Sequence, residues 1–290
     1  MTDLATEIGK SIGASLEPKP AARVHGGSIN ESHRWESSAG PLFVKVAPAA
    51  ARAMFEAEAE GLEELRRGNA VRVPRALGIA STETEVALAL EWIDFGSASR
   101  ASTTAFGEQL AAQHRVSADA FGWHRDNTIG STPQSNCWCA GWGRFFRERR
   151  LRPQLDLARA NGFHGRLQER GEALLDRLDR LLPSSAEPPA LLHGDLWGGN
   201  WATDGRGRPV IFDPAVYFGD RVADIAMTKL FGGFGSEFYA AYEAAWPLPA
   251  DVETRSELYN LYHVLNHLNL FGGGYLSQAV RMLDRLLAHT

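Results

Sequence analysis

Residues 191 to 214 read LLHGDLWGGNWATDGRGRPVIFDP, and this stretch constrains the chain more than any other. It sets Asp195 and Asn200 five residues apart in a glycine-containing loop. An apolar run from Pro209 to Phe212 follows and delivers Asp213, with Pro214 behind it. An Asp after a Gly in a loop is usually a turn or cap residue, and Asp195 alone would mean no more than that. The combination says more, because two acids and an amide arrive in order on one strand-loop-strand. His193 reads as a packed histidine that braces the loop and is given no proton-transfer role.

That order of groups is what a phosphoryl-transfer site requires. In the pattern HRDLxxxN the Asp accepts the proton of the attacking hydroxyl, and an Asn five residues on holds a magnesium ion. An Asp on the next strand holds magnesium as well. Asp195 is therefore the candidate base, and Asn200 and Asp213 are the candidate metal ligands. Lys45 adds to this, since it lies inside the apolar strand PLFVKVA at 41 to 47, where an ammonium group needs an anionic partner. The expected partners are nucleotide phosphates and a carboxylate of the following helix AARAMFEAEAEGLEELRRG, Glu58 first and Glu56 second. The competing use is an edge-strand lysine that blocks aggregation. Gly26 and Gly27 sit in a polar turn between candidate strands over 22 to 38, where glycine lets backbone amides approach phosphate oxygens. A Gly-Gly pair is more often just a turn.

Composition bounds the alternatives. At 290 residues, 44% of them hydrophobic, the chain suits one large or two modest domains with ample cores. A net charge of -5 argues against a protein built to neutralise nucleic-acid phosphates or to sit on an anionic membrane. Small-molecule partners fit better. Two cysteines, Cys137 and Cys139, are too few for a structural zinc site and awkwardly spaced for a mutual disulfide, so a reducing cytoplasm is expected. The start lacks the basic-then-apolar pattern of a signal peptide, and no apolar run approaches the ~20 residues that span a bilayer.

Along the chain, Leu4, Ile8 and Ile12 predict a short amphipathic helix over 3 to 15. Further strands are expected at 71 to 80 and 84 to 94, which complete a small sheet with one main helix. Helical spacing dominates beyond 102, so a boundary is placed at 93 to 96, giving units 1 to 93 and 94 to 290. Glu91 to Ile93 form the hinge, whose backbone would meet an adenine edge. The loop from 117 to 143 is long and carries Trp123, Trp138 and Trp142, as functional groups or as core anchors. The arginines at 144, 147, 149, 150 and 152 read mostly as a solvated helix face. Leucines at 167, 174, 178 and 181 predict a helix over 164 to 182. Asp220 and Asp224 open another helix; one of them is expected to hold the catalytic loop, with capping as the alternative for Asp220. Leu258, Leu261, Leu265 and Leu268 form an apolar stripe, and His263 and His267 on the same helix lack the third ligand of a zinc site.

With these residues in place, the sequence resembles the fructosamine kinase (ketosamine-3-kinase) family, relatives of aminoglycoside phosphotransferases and choline kinases. The resemblance covers nearly the whole chain. Its markers are LLHGDLWGGN at 191 to 200, DPAVYFGDRVADIAM at 213 to 227, FGWHRDNTIGSTPQSN at 121 to 136, FVKV at 43 to 46 and MFEAEAEGL at 54 to 62. It implies an α+β, bilobal protein-kinase-like fold: a small antiparallel-sheet nucleotide-binding lobe with one main helix, then a larger, mostly helical catalytic and substrate-binding lobe. It also implies ATP-dependent phosphorylation of the 3-hydroxyl of a ketosamine, whose product sheds its sugar. By motif, Lys45 would contact ATP phosphates, Glu58 would pair with it, Asp195 would be the base, Asn200 and Asp213 would bind Mg2+, and Trp197 would sit beside the sugar. His25 stands where some eukaryotic members carry a reactive Cys, which argues against a thiol switch at that turn. A kinase of another small hydroxyl compound and a silent nucleotide-binding protein are the competing readings.

Overall fold

The computed structural model describes residues 2 to 24, 31 to 182 and 187 to 290, with the side chains of 2 and 3 left aside. The chain divides into two compact units, Met1–Phe106 with Gly199–Pro214, and Gly107–Gly198 with Ala215–Thr290.

In the first unit, α1 (Thr2–Ile12) precedes β1 (Ala22–Val24), β2 (Glu31–Ser37) and β3 (Gly40–Pro48). Next come α2 (Arg52–Arg67), β4 (Ala76–Ser81) and β5 (Glu85–Glu91). The strands form one antiparallel sheet in the order β1-β2-β3-β5-β4. Side chains alternate across a strand, and the sequence uses both faces. Leu42 and Val44 of β3 pack with Leu4, Ala5 and Ile8 of α1 and with Trp35, Ala87 and Ala89. Each such fully buried aliphatic side chain contributes about 1.5–3 kcal/mol. Lys45, one residue out of phase with Val44, points to the other face, where Glu58 of α2 meets it. The strand expected over 71 to 80 begins only at Ala76, because Pro74 cannot donate to a ladder.

The boundary expected at 93 to 96 does not coincide with this division. The short strand β6 (Phe95–Gly96) pairs with β10 (Trp201–Asp204), which pairs with β11 (Pro209–Ile211), so the β10–β11 hairpin belongs with the first unit. Buried Asp204 closes that hairpin. It accepts from the backbone N–H groups of Arg206 and Arg208 at 2.9 Å each and from the Arg72 guanidinium, which also donates to Glu91 at 2.8 Å.

The second unit takes up the later half of α3 (Arg100–His114). It then adds the hairpin β7 (Asn127–Ile129) and β8 (Thr132–Gln134), α4 (Trp142–Phe146), α5 (Arg152–Ala160) and α6 (Arg166–Arg177). Strand β9 (Ala190–Leu192) pairs antiparallel with β12 (Tyr217–Gly219), and α7 (Val222–Leu230), α8 (Ser236–Ala245), α9 (Val252–Phe271) and α10 (Leu276–Ala288) complete it. Leu258, Leu261, Leu265 and Leu268 of α9 are all buried. The helix expected over 164 to 182 stops at Arg177 and ends in a tighter turn, Leu178–Arg180.

Two features depart from the sequence reading or refine it. Arg150 is fully buried, not solvated, because a wide π turn over Arg147–Leu151 changes which side chains face inward. It donates to Ser135 O at 2.7 Å and to Asn136 Oδ1 at 2.6 Å, and its guanidinium lies 4.0 Å from the Tyr217 ring centre. Of the loop tryptophans, Trp123 and Trp142 are buried, Trp142 donating to the Tyr259 hydroxyl at 2.8 Å, whereas Trp138 is exposed. Among the described residues no helix is long and apolar enough to cross a membrane.

Candidate active site

The first unit contributes a buried charge cluster. Lys45 Nζ lies 2.6 Å from Glu58 Oε1 and 2.6 Å from Asp213 Oδ1. Burial opposes the Lys45 charge, but the carboxylates of Asp213 and Glu58 outweigh it and hold the ammonium well above the usual lysine range. Burial pushes the Glu58 carboxyl up, and Asp213 adds to this while Lys45 opposes it. Two carboxylates thus share one ammonium, which leaves the cluster with acceptor capacity for a further cation. Glu56, the second choice from sequence, instead pairs at the surface with Arg52 at 2.9 Å.

Asp213 has φ of 58°, and with Asn69 it is one of the two non-glycine residues in left-handed backbone among those described. Such a conformation costs about 1–3 kcal/mol and persists where the surroundings dictate it. Asn200 is buried. Its carbonyl accepts the Phe212 N–H at 3.1 Å, and its side-chain amide approaches the Asp213 carbonyl at 3.5 Å.

The second unit holds Asp195, half-buried, at the end of the turn that follows β9. The turn is anchored from beneath by Asp224 of α7, whose carboxylate accepts the N–H of His193 at 2.7 Å and of Gly194 at 2.9 Å. His114 Nε2 sits 3.2 Å from the same carboxylate, and His114 Nδ1 lies 2.8 Å from the Tyr242 hydroxyl. Burial would raise the Asp224 carboxyl, yet the His114 contact, with His193 and the Gly194 N–H, brings it below its ordinary value. Of the two acids considered from sequence, Asp224 is thus the one that holds the loop. Asp220 accepts the Val222 N–H at the first residue of α7 and binds Arg255 and the Tyr259 hydroxyl. His193 is buried and its Nδ1 accepts the Asp195 N–H at 3.3 Å, which is the bracing role expected of it.

Gly194 has φ of 82°, and a Cβ there would fall 2.0 Å from the Ala215 carbonyl oxygen. The chain therefore needs glycine directly before Asp195. The segment it touches is itself fixed: Ala215 N–H donates to His193 O, Gln134 donates to Ala215 O, and Asn127 donates to Val216 O. The β7–β8 hairpin thus backs the segment that leads into β12 and lies against the Asp195 turn.

The remaining expected residues fall as follows. Gly26 and Gly27, with His25, lie outside the described residues. The Glu91 side chain is committed to Arg72 and its N–H donates to Arg75 O at 2.9 Å, while Ile93 lies in irregular backbone beyond β5. Trp197 is exposed, with its N–H on Asp195 O at 3.2 Å. Sequence reading missed His114, Asn127, Gln134 and Arg150. The first closes a helix with no distinguishing neighbour, and the others lie in segments read as loop or solvated face.

The family model for fructosamine kinase matches residues 1–289. The chain belongs to the fructosamine kinase family. Among its relatives, a protein named probable ketoamine kinase from Synechocystis sp. is 42% identical over 285 residues, 98% of this chain and 96% of that one. The chloroplastic protein-ribulosamine 3-kinase of Arabidopsis thaliana is 42% identical over 267 residues, 91% of this chain and 81% of the relative. A fructosamine-3-kinase homologue from Thermobifida fusca superposes with a TM-score of 0.87 at 33% identity, covering 100% of both chains. An aminoglycoside phosphotransferase bound to ADP and hygromycin B gives a TM-score of 0.64 at 13% identity over 99% of each chain, a likeness of fold alone. The fructosamine-kinase fold of this chain is that of the protein-kinase-like phosphotransferases.

Proposed function

We propose that the chain is an ATP-dependent kinase that phosphorylates the 3-hydroxyl of ketosamines, small or protein-linked, and so leads to their deglycation. The observation that carries this reading is the buried Lys45, held between Glu58 and Asp213 in a member of the fructosamine kinase family. The first unit is the nucleotide-binding lobe and the second the catalytic and substrate-binding lobe.

In this reading Glu58 fixes the Lys45 ammonium so that it meets the ATP phosphates without reorganising, which is where preorganised charge is most effective. Gly26 and Gly27 cover the nucleotide. The Glu91 N–H is already used within the protein, so the hinge donor to adenine is that of Ile93, with Glu91 contributing backbone only. The Asp213 carboxylate and the Asn200 amide oxygen are the hard oxygen donors that magnesium takes, and they fit that ion. When bound, magnesium would neutralise charge on the transferring phosphate.

Asp195 orients the sugar 3-hydroxyl and accepts its proton as the oxygen attacks phosphorus. Its role rests on the five-residue spacing to Asn200 and on a turn that Gly194 and Asp224 hold in one shape. Trp197 offers a ring face to the sugar. The free thiols of Cys137 and Cys139 fit a reducing compartment such as the cytoplasm.

The test is ADP release with magnesium-ATP, comparing ribulosyl-lysine and fructosyl-lysine with an aminoglycoside, choline and no acceptor. Ketosamine-dependent turnover is expected. Turnover only with another acceptor would overturn the substrate, and silence with every acceptor would favour a binding protein.

A further inference from the structure

Beyond Trp197, the second unit carries a row of aromatic side chains that none of the roles above uses. Starting at Trp197, two residues past Asp195, the ring centres step 6.4 Å to Phe231, 4.9 Å on to His267, and then 5.4 Å to Phe271 and 5.2 Å to Tyr275. Phe231 follows α7, and His267 and Phe271 are one turn apart near the end of α9. Of the five exposed large hydrophobic side chains among the described residues, three belong to this row: Trp197 at 40%, Phe231 at 42% and Phe271 at 54%. Contiguous exposed apolar surface of this kind marks a place where something binds.

The row is built onto the catalytic turn. Gly232 and Gly233 have φ of 74° and 99°, and a Cβ on Gly198 would lie 3.0 Å from Gly232 O and 3.2 Å from Gly233 Cα. A Cβ on Gly233 would in turn meet Gly198 Cα at 2.9 Å. Backbone therefore touches backbone between the residue after Trp197 and the residues after Phe231. The loop that carries Phe231 packs directly against the turn that carries Asp195.

The chemistry of the acceptor says what would lie along such a row. In a ketosamine the reacting hydroxyl is on C3 and the amine is on C1, so the amine carrier leaves the sugar only a few bonds from the attacking oxygen. A hydroxyl-rich sugar needs one ring face for its C–H surface, and Trp197 supplies it. The four further rings have nothing in a sugar to cover them. His267 adds no charge: burial pushes its imidazole below the ordinary value, and its Nδ1 is engaged with the His263 carbonyl at 2.8 Å. An acidic carrier finds no cation in this row and a basic one gains only a weak, exposed cation–π contact, whereas apolar side chains bury area along the whole row.

We propose that Phe231, His267, Phe271 and Tyr275 extend the acceptor site and bind apolar side chains that flank a ketosamine-modified lysine in a peptide. This rests on the ketosamine kinase reading and names the carrier that the reading leaves open. It makes the enzyme selective for adducts on apolar peptide segments over the same adduct on free lysine or on a polar segment.

The test compares kcat/KM for ribulosyl-lysine with that for two short peptides carrying the same adduct, one flanked by leucine and phenylalanine and one by serine. The wild-type chain is expected to favour the apolar peptide by about tenfold, the scale of one or two apolar contacts in a pocket. Phe271→Ser, and separately Phe231→Ser, should bring the ratio of the two peptides to within about twofold of unity, with free ribulosyl-lysine affected less than the apolar peptide. Thermal unfolding confirms that each variant is folded. A wild-type ratio already near unity, or both variants keeping the wild-type ratio, would overturn the extension alone. If the wild-type chain turns over no ketosamine, the functional reading fails and the extension falls with it.

Discussion

Lys45 and Asp213, 168 residues apart in the chain, meet at 2.6 Å, and the same ammonium holds Glu58 at 2.6 Å. One side chain from the middle of a sheet thus ties together the helix that follows it and the acid that closes the 191 to 214 stretch. The contact lies wholly within the first unit. It joins a stability role to the catalytic one proposed for Lys45, and the two can be separated.

Replacing Lys45 with Met should lower turnover by about 10² to 10³, the usual loss of a preorganised charge at a transferring group. It should also destabilise the fold by about 3–5 kcal/mol, because Glu58 is left buried and unpaired. Adding Glu58→Gln should restore much of the stability and none of the turnover, read by denaturant unfolding beside an ADP-release assay. A double variant that regained activity would show that Lys45 only balances Glu58.

Gly194→Ala should be costly in two ways. Its Cβ would meet the Ala215 carbonyl oxygen at 2.0 Å in left-handed backbone, so the turn must shift. A loss of roughly 2–4 kcal/mol is expected, with turnover falling because Asp195 moves with the turn. Gly207→Ala is the control. Gly207 also has positive φ, 77°, but nothing lies within 4 Å of its added Cβ. It should cost about 1–2 kcal/mol and leave turnover near normal.

His263 gives a pH signature. Burial, with the nearby His267 and Arg150, pushes its imidazole down to about 3. The unfolded chain takes up a proton at this residue below about pH 6.5, which the folded chain refuses. Stability is therefore intact above that pH and declines as pH falls toward 3, by about 1.4 kcal/mol per pH unit from this group. His263→Gln should flatten the stability profile between pH 6 and 4 relative to wild type. Parallel profiles would contradict the burial of a neutral His263.

These residues also show what a sequence can reveal. An ammonium inside an apolar strand demands an acid, and the helix that follows supplies a short list, so the Lys45–Glu58 pair was legible before any coordinates. The spacing of Asp195, Asn200 and Asp213 was legible for the same reason: local chain order places groups a few residues apart. Asp224 was half legible, since the sequence offered Asp220 and Asp224 together as the acid that holds the loop and only geometry separates them. His114 was not legible, because its contact to Asp224 spans 110 residues and leaves no local trace. Arg150 was misread, since a wide helical turn moved it inward and its partners are carbonyls and ring faces, not an acid that pattern reading could find. The division of the chain differed because β6, two residues long, pairs with a hairpin about a hundred residues later in sequence. A strand that short has no periodicity to detect.

The most direct measurement follows ADP and free lysine together when magnesium-ATP and ribulosyl-lysine are supplied to the wild-type chain and to Asp195→Asn. Ketosamine-dependent ADP is expected, with lysine appearing after it as the 3-phosphate sheds its sugar. The Asn variant should lower both by about 10² to 10⁴, typical of a lost general base, with ATP binding preserved. Wild-type turnover in the variant, or ADP formed without any ketosamine dependence, would contradict the proposed function.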